Sequence, residues 1–480
     1  MSDFTNNYDA IVIGSGPNGL SAAILMAQQG FKVHVIEAEK TIGGGTRTKE
    51  LTEPSFLHDV CSAVHPTAVA SPYLSTLPLH EYGLEWIHPK IATSHPLNNK
   101  NAILGYKSVE KTIEQLGPDA SAYKRLFEEY IDAWKSLTFD LFGTLRIPKH
   151  PIKMAGFGLK GMKSTIELAH SVFKTKEAKA FFAGHAAHSI LPLEQAFSAS
   201  FGLVLCTSMH TVGWPIAKGG SSKITDAMAS YFKSLGGTIE TDHRITNFDE
   251  VPNTKCILFD LTPHQIAKIC TNELPSGYKK QLLNYQYGPG ACKIDIATTE
   301  PIPWLNEETK YAGTVHLGGT LEEIALSERE IWSGKHSEKP YVLLSQPSVF
   351  DASRAPKGKY TVWAYCHVPN GSDRDCSQEI LNQIERWAPG FKDTIISYNT
   401  MTAVTMSAYN ENYIGGDING GAQFLKQLIG RPVLKWNPYK TPKKGVYICS
   451  SSTPPGGGVH GMCGYHAAKS ALKNEFDLSV

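Results

Sequence analysis

A glycine-rich turn near the N-terminus constrains the fold of this chain more than any other feature. Residues 9–13 form an apolar run that predicts a buried strand, and Gly14, Gly16 and Gly19 follow it directly. The residues after this G-x-G-x-x-G turn have the small and apolar side chains of a packed helix, and residues 32–37 predict a second strand. The N-terminus is therefore expected to form a complete βαβ unit.

The spacing of these glycines is typical of a turn that holds a dinucleotide. The first glycine permits a tight turn, the second lets the backbone approach a pyrophosphate, and the third lets helix and strand pack closely. Pro17 and Asn18 lie in this turn, just before the predicted helix. The unpaired N–H groups at the N-terminus of that helix can bind phosphate oxygens. Glu37, followed by Ala38, ends the second predicted strand, where a carboxylate accepts hydrogen bonds from ribose hydroxyls. Because an acid here repels a 2′-phosphate, the pattern disfavours NADP.

A second glycine-rich turn, soon after Glu37, favours FAD over NAD. Gly44, Gly45, Thr46 and Arg47 form a cluster that is typical of FAD enzymes. Its glycines let the chain run against the cofactor, and Arg47 can offset pyrophosphate charge or face the flavin. No second G-x-G-x-x-G turn directly joins a predicted strand to a helix, so a separate NAD(P)H-binding domain is not expected. The sequence therefore predicts FAD as the cofactor.

Composition and charge exclude several other classes of protein. The chain has 480 residues, of which 41% are hydrophobic and 19% charged, so it can bury a large core. Lys and Arg number 46 against 45 Asp and Glu, whereas a nucleic-acid-binding protein usually has a strong basic excess. The nine cysteines include no C-x-x-C pair, and no metal-site spacing occurs. The first residues lack a targeting pattern, which predicts a cytoplasmic protein.

Segments with nucleotide-binding character are distributed along the chain. Residues 213–250 combine a glycine turn, a helix and a strand over 238–248, and residues 446–476 combine a strand, a glycine-rich loop and a helix. We therefore predict an α/β protein with two domains. The Rossmann-like FAD-binding domain is expected from residues 1–70, 213–290 and 431–480, and a mixed α+β substrate domain from residues 71–212 and 291–430.

Three motifs, at the start, middle and end of the chain, indicate a family. They are IVIGSGPNGLSAA, WPIAKGGSSKITDAM and STPPGGGVHGMCGYHAA. Together they resemble the phytoene desaturase superfamily of FAD-dependent oxidoreductases. The segments GTVHLGGTLEEI, AYCHVPNG and GGDINGG resemble, within it, the subgroup of pyridine nucleotide-disulfide oxidoreductase domain-containing protein 2. The resemblance extends over essentially the whole chain.

This resemblance implies a reaction centred on the flavin. The C-terminal glycine loop and the start of the last helix would lie beside the isoalloxazine ring, with contacts from Gly457, Gly458, Val459, His460 and Met462. A hydride would pass to the flavin from a C–H bond of a hydrophobic small molecule, an isoprenoid or a lipid. Oxygen or a quinone would then take the electrons.

Few side chains stand out as partners of the substrate. Because the flavin supplies the reactive centre, no protein nucleophile is required. The candidates are His65, Tyr287 and His460. A histidine in an apolar stretch is more often a hydrogen-bonded core residue than a catalyst, and this interpretation also applies here.

Two segments of unusual composition lie in the predicted substrate domain. Residues 195–217 carry no charge but several hydroxyl groups, which indicates a buried segment that lines a cavity rather than a membrane span. In residues 147–163 lysines alternate with large apolar side chains. Such a stretch suits a peripheral membrane contact, or packs against its own domain.

Three alternative functions remain open at this point. A flavin amine oxidase shares the domain plan, but it requires an aromatic cage and an acid for the amine. A redox-neutral isomerase would use reduced FAD and give no net oxidation. A lipid carrier or interaction protein on the same scaffold would have lost FAD, against which the intact glycines and Glu37 argue. The colour of the purified protein distinguishes this last alternative from the enzymes.

Overall fold

The structure is a computed structural model that describes residues 8–97, 101–144 and 148–480. Two sequence predictions fall partly outside the described residues. The cytoplasmic start rests in part on residues 1–7, and the lysine-rich segment begins at Ile147.

The strands belong to two large sheets and two short pairs. In chain order they are β1 (Ala10–Ile13), β2 (Val33–Ile36), β3 (Thr48–Glu50), β4 (Leu57–Asp59), β5 (Trp86–Ile87), β6 (Ile91–Pro96), β7 (Ala102–Gly105), β8 (Ile216–Ala217), β9 (Thr238–Glu240), β10 (Cys256–Phe259), β11 (Gly290–Thr298), β12 (Ala312–Leu317), β13 (Val342–Ser345), β14 (Tyr360–Val368), β15 (Ile395–Met401) and β16 (Val446–Ile448).

Helices pack on both faces of the first sheet and on both faces of the second sheet. They are α1 (Pro17–Gln28), α2 (Pro66–Ala70), α3 (Val109–Ile113), α4 (Ala120–Asp132), α5 (Trp134–Leu141), α6 (Pro151–Gly161), α7 (Thr165–Val172), α8 (Lys176–Ala186), α9 (Ser198–Thr211), α10 (Ser222–Ser234), α11 (Pro263–Ile269), α12 (Ser276–Leu283), α13 (Leu321–Trp332), α14 (Ser377–Trp387), α15 (Ala403–Tyr409), α16 (Leu425–Ile429) and α17 (Met462–Glu475).

The first sheet is parallel, in the order β16–β10–β1–β2–β9. Every residue of β1 is buried because helices cover both faces. Ala10 and Val12 pack towards α1, α10 and α17, whereas Ile11 and Ile13 pack towards α11 and α12. This sheet therefore has the two-sided burial of a Rossmann-like domain, and the carboxyl ends of its strands meet at one edge.

The second sheet is mixed, in the order β15–β11–β14–β13–β12–β6–β7. Its neighbouring strands are antiparallel, except that β12 and β6 run parallel. One face packs on α14, and the other carries Leu343, Trp363 and Tyr365 towards the layer of α4, α8 and α9. Together the sheets confirm the predicted α/β class, with a parallel Rossmann-like sheet and a separate mixed sheet. The residue boundaries of the two domains stay a prediction.

The prediction of one strand over residues 238–248 is wrong in its extent. Strand β9 ends at Glu240, and Asp242 has a φ of 61°. The next backbone groups turn back towards β2, because Asp242 N–H donates to Glu39 O at 2.9 Å and His243 N–H donates to Glu37 O at 3.0 Å. The chain thereby passes over the end of β2, where the glutamate of the predicted ribose site lies.

The uncharged segment 195–217 contains helix α9, which is buried between α4, α6 and α8. Ser200, Phe201, Val204 and Leu205 line a large cavity, as the sequence predicted. No helix within the described residues has the length and apolar character needed to cross a bilayer.

Candidate active site

One continuous cavity of about 1020 Å³ joins the carboxyl edge of the parallel sheet to the second sheet. Its first end contains both glycine turns and the C-terminal glycine loop. Its second end lies between α6, α9 and the second sheet. The predicted cofactor residues that line the cavity are Gly14, Gly16, Pro17, Asn18, Glu37, Ala38, Gly44, Gly45, Thr46, Arg47, Gly457, Gly458, Val459 and His460.

The first glycine turn has a geometry that side chains would destroy. Gly14 has a φ of 104°, which is unfavourable for other residues. A Cβ atom at Gly19 would lie 2.1 Å from Gly14 O, so helix α1 could not start so close to β1. Gly44 belongs to the second turn, and a Cβ there would lie 3.2 Å from Gly16 Cα. The two turns therefore approach each other closely and form one backbone-lined wall.

The carboxylate of Glu37 is held at this wall by several donors. It is 6% exposed, and its Oε2 accepts a hydrogen bond from Ser15 N–H at 2.9 Å. Its Oε1 accepts from Glu39 N–H at 2.9 Å and from Arg47 Nη2 at 3.2 Å. Arg47 also donates to Thr41 O at 2.8 Å, and this hydrogen bond stabilises the second turn. Glu37 is thus fixed and charge-compensated at the end of β2, where a ribose binds in such folds.

An acid that the sequence analysis missed lies beneath the first turn. Asp260 follows β10, is buried, and its Oδ2 accepts a hydrogen bond from Gly19 N–H at 2.9 Å. Burial raises the pKa of the Asp260 carboxyl to about 7, and repulsion from Glu37 acts in the same direction. A Cβ at Gly16 would lie 2.8 Å from Asp260 Oδ2. An acid directly after the apolar run Cys256–Phe259 was the signal that could have revealed it.

The C-terminal loop brings further backbone to the cavity. Gly456 and Gly458 have φ angles of 115° and 126°. His460 is buried and its Nδ1 accepts a hydrogen bond from Met462 N–H at 3.0 Å, which caps the start of α17. Burial lowers the pKa of His460 to about 4, so its imidazole is neutral at pH 7. Behind the loop, the buried Arg431 donates to Tyr285 Oη at 2.9 Å.

Four of the predicted site residues do not line the cavity. Gly19 lies inside the turn, and Met462 lies in the first turn of α17. The Nε2 of His65 is 2.9 Å from Ser221 Oγ, so this ring is engaged elsewhere. Tyr287 packs edge-on against the rings of His264 and Tyr285. Of the three candidate substrate partners, the cavity wall therefore includes His460 alone.

The residues at the first end fit a dinucleotide. The glycine turns leave room that a Cβ atom would fill, and Glu37 is presented by fixed donors. Asn18, at the start of α1, lines the cavity and has a buried Oδ1 without a partner among the described residues. The Asn18 N–H at the start of α1 and the N–H groups of residues 457–459 are suited to the phosphates and to an electron-rich ring edge.

The second end of the cavity is predominantly apolar. Helices α6 and α9 contribute Met154, Phe157, Phe201, Val204 and Leu205 to it. The second sheet and its neighbours contribute a further set of large side chains: Trp214, Leu343, Trp363 and Tyr365. Such a wall suits a ligand with a large hydrocarbon part.

Comparisons with known proteins agree with this geometry. Residues 12–77 match the model of the NAD(P)-binding Rossmann-like domain. The chain is 24% identical to mouse pyridine nucleotide-disulfide oxidoreductase domain-containing protein 2, covering 96% of this chain and 92% of the mouse protein. It is 22% identical to the lycopene-forming phytoene desaturase of a Paracoccus species, over 95% of each chain.

A solved structure extends the agreement to the whole fold. Putrescine oxidase with bound putrescine has a TM-score of 0.63 at 14% identity, covering 97% of this chain and 98% of that protein. At this identity the likeness concerns the fold alone. The chain thus fits the phytoene desaturase-like superfamily of FAD-dependent oxidoreductases, as the sequence resemblance predicted.

Proposed function

We propose that this protein is an FAD-dependent oxidoreductase that removes a hydride from a C–H bond of a hydrophobic small molecule, an isoprenoid or a lipid. The observation that carries the proposal is the single cavity, with a glycine-lined dinucleotide end that continues into an apolar end. A flavoenzyme that acts on an apolar ligand needs this arrangement, because the reactive bond must lie against the ring while the rest of the ligand stays out of water.

The residues at the first end would hold the cofactor. Glu37 would accept hydrogen bonds from the ribose, and the Asn18 N–H at the start of α1 would bind the pyrophosphate. The preceding proline has no N–H, and the N–H of Gly19 already donates to Asp260. The loop Gly457–His460 would lie along the isoalloxazine ring, where its N–H groups stabilise negative charge. Bound FAD would supply the hydride-accepting centre.

The second end would orient the substrate and exclude water. Its aliphatic and aromatic side chains come from α6, α9 and the second sheet, so they enclose a long ligand from several sides. The neighbouring acid, Asp140, already accepts hydrogen bonds from Lys149 N–H at 2.9 Å and His150 N–H at 3.1 Å. This engagement makes Asp140 a poor partner for a substrate ammonium group and favours a neutral substrate.

Helix α6 supports a membrane contact as part of the same proposal. Its cavity-lining residues Met154 and Phe157 share the helix with Ile152 and Leu159, which are 87% and 76% exposed. Lys149, Lys153, Lys160 and Lys163 lie close to this exposed apolar pair in the sequence. A basic amphipathic helix of this kind binds anionic lipid surfaces, and it would place the second end of the cavity next to lipid. A membrane quinone, or oxygen, would then be the electron acceptor.

The decisive experiment is an anaerobic flavin-reduction screen of the purified protein against isoprenoids, lipids and amines. We expect a yellow protein with FAD bound, reduction by a neutral isoprenoid or lipid, and only slow reduction by NADPH. The matched control is Gly16→Leu, which should remain folded without taking up FAD. A wild-type protein that does not take up FAD would overturn the proposal. Reduction by amines alone would show that the substrate is an amine and not an isoprenoid or lipid. Rapid, saturable reduction by NADPH would show a nicotinamide site.

A further inference from the structure

Besides Ser200, whose hydroxyl donates to Phe197 O at 2.7 Å, two further polar side chains interrupt the apolar wall at the second end of the cavity. His188, in the helical turn after α8, and Thr314, on β12, both line it. A hydrocarbon ligand offers no partner for either group. Burying an unpaired polar group costs free energy, so their presence against an apolar ligand needs an explanation.

His188 is supported from behind by a second histidine. Its Nε2 lies 3.0 Å from Nε2 of His316, a fully buried residue on β12 that does not line the cavity. Two facing nitrogens at this distance share one proton, so one ring donates and the other accepts. The Nδ1 of His188 has no hydrogen-bond partner among the described residues. It carries a proton when Nε2 accepts and a lone pair when Nε2 donates, so it suits either a donor or an acceptor.

Strand geometry places Thr314 and His316 on the same face of the second sheet. Side chains two residues apart along a strand point to one face, and the intervening Val315 belongs to the core on the other face. Thr314 is 3% exposed, and its Oγ1 is buried without a partner among the described residues. The Nδ1 of His316 is also unpartnered. The wall therefore contains a hydroxyl that no described residue engages, on the same sheet face as one member of the imidazole pair.

The two imidazoles of His188 and His316 and the hydroxyl of Thr314 are uncharged, which favours a neutral ligand. Burial lowers the pKa of His188 and of His316, and the neighbouring imidazoles of His185, His95 and His367 act in the same direction. The buried carboxylate of Glu328 is already engaged by His367 Nδ1 at 2.8 Å. A neutral imidazole pair with a hydroxyl offers no counter-charge to a ligand carboxylate or ammonium, whereas it matches a hydroxyl or carbonyl oxygen.

We propose that His188, supported by His316, and Thr314 bind the hydroxyl or carbonyl oxygen of an otherwise apolar ligand. The substrate is then an oxygenated isoprenoid or lipid rather than a pure hydrocarbon. This inference rests on the proposed function, because it names the substrate class of the same cavity. His316 is a positioning residue, since it acts through the ring of His188.

The test compares farnesol with the hydrocarbon farnesene on the FAD-loaded protein. Quenching of tryptophan fluorescence reports binding, because Trp214 and Trp363 line the cavity. We expect farnesol to bind about tenfold more tightly, although farnesene is the more hydrophobic molecule. His188→Phe and Thr314→Val each preserve side-chain size and should reduce or reverse this preference. The control Phe201→Leu should weaken the binding of farnesol and of farnesene by the same factor.

A spectroscopic measurement makes the test independent of affinity. The carbonyl stretch of isotope-labelled farnesal should shift to lower frequency in the wild-type complex, because a hydrogen bond weakens the C=O bond, and the shift should shrink in Thr314→Val. Equal or tighter binding of farnesene, or a preference that both variants retain, would overturn the inference while the proposed function stands. A protein that fails to take up FAD would instead overturn the proposed function.

Discussion

The two ends of the cavity are built by different means. The dinucleotide end is made largely of backbone, in two glycine turns and a glycine loop, with Glu37 fixed by neighbouring donors. The other end is made of side chains from α6, α9 and the second sheet, with His188 and Thr314 among its polar members. The first end therefore suits a constant cofactor, whereas the second sets which ligand is chosen. Substitutions at the two ends should separate cofactor affinity from ligand preference.

The largest expected effect is at the first glycine turn. Gly19→Val should abolish FAD binding, because its Cβ would lie 2.1 Å from Gly14 O and push α1 away from β1. Retention of FAD after gel filtration measures this. Gly277→Ala is the control, since a Cβ there meets nothing within 4 Å, and it should retain FAD. A Gly19→Val protein that keeps its flavin would contradict the assignment of this turn.

Glu37→Ala should weaken FAD binding by about 1–3 kcal/mol, because the ribose hydroxyls would lose a buried acceptor. The dissociation constant, measured by fluorescence titration of the apoprotein, checks this value. Glu37→Gln keeps one acceptor oxygen and should lie between the wild type and Glu37→Ala. An unchanged dissociation constant in Glu37→Ala would remove this residue from the site, while ligand preference at the other end should not change in either variant.

Asp260 should make stability fall as pH rises. Its folded-state pKa is raised to about 7, so the folded protein binds more protons than the unfolded chain and loses stability up to that pH. Asp260→Asn removes the titration. Its free energy of unfolding relative to wild type should therefore increase by about 2 kcal/mol between about pH 5 and pH 8, as measured by urea unfolding. A difference for Asp260→Asn that does not change with pH would refute the raised pKa of Asp260.

The smallest expected effect concerns the outer surface of the second end. Ile152→Asp combined with Leu159→Asp should lower binding to phosphatidylglycerol vesicles about tenfold, because apolar burial and charge attraction both decrease. Co-sedimentation measures this, and FAD content should stay constant. Leu326→Asp, at another exposed leucine, is the control. Equal vesicle binding by the double variant and the wild type would exclude α6 as the membrane contact.

The same contrast explains what the sequence could predict. The N-terminal unit was predictable because its signal is local: Gly14, Gly16 and Gly19 fall within one turn, and Glu37 ends the next strand. The family resemblance extended this prediction to the C-terminal glycine loop. The prediction of a strand over residues 238–248 failed because backbone partners at Glu37 and Glu39, not side-chain alternation, turn the chain after β9.

The second end was not predictable because it depends on contacts between distant residues. His188 and His316 are 128 positions apart, and neither lies in a motif with recognisable spacing. At the first end, Asp260 was missed for the same reason, because it contacts Gly19 across 241 positions. Of the candidate substrate partners, His65 and Tyr287 were chosen for their residue type and surroundings in the sequence, but the fold directs their side chains to Ser221 and to His264. Only tertiary structure shows which polar groups face the cavity.

The central claim is that one cavity holds FAD at one end and an apolar ligand at the other. An anaerobic titration of the FAD-loaded protein with farnesol, followed by flavin absorbance, tests it most directly. We expect a saturable spectral change at one ligand per bound FAD in the wild type, and its loss when Val204→Trp fills the apolar end without loss of FAD. A flavin spectrum that farnesol does not alter would contradict this arrangement, and so would a spectral change that persists in Val204→Trp.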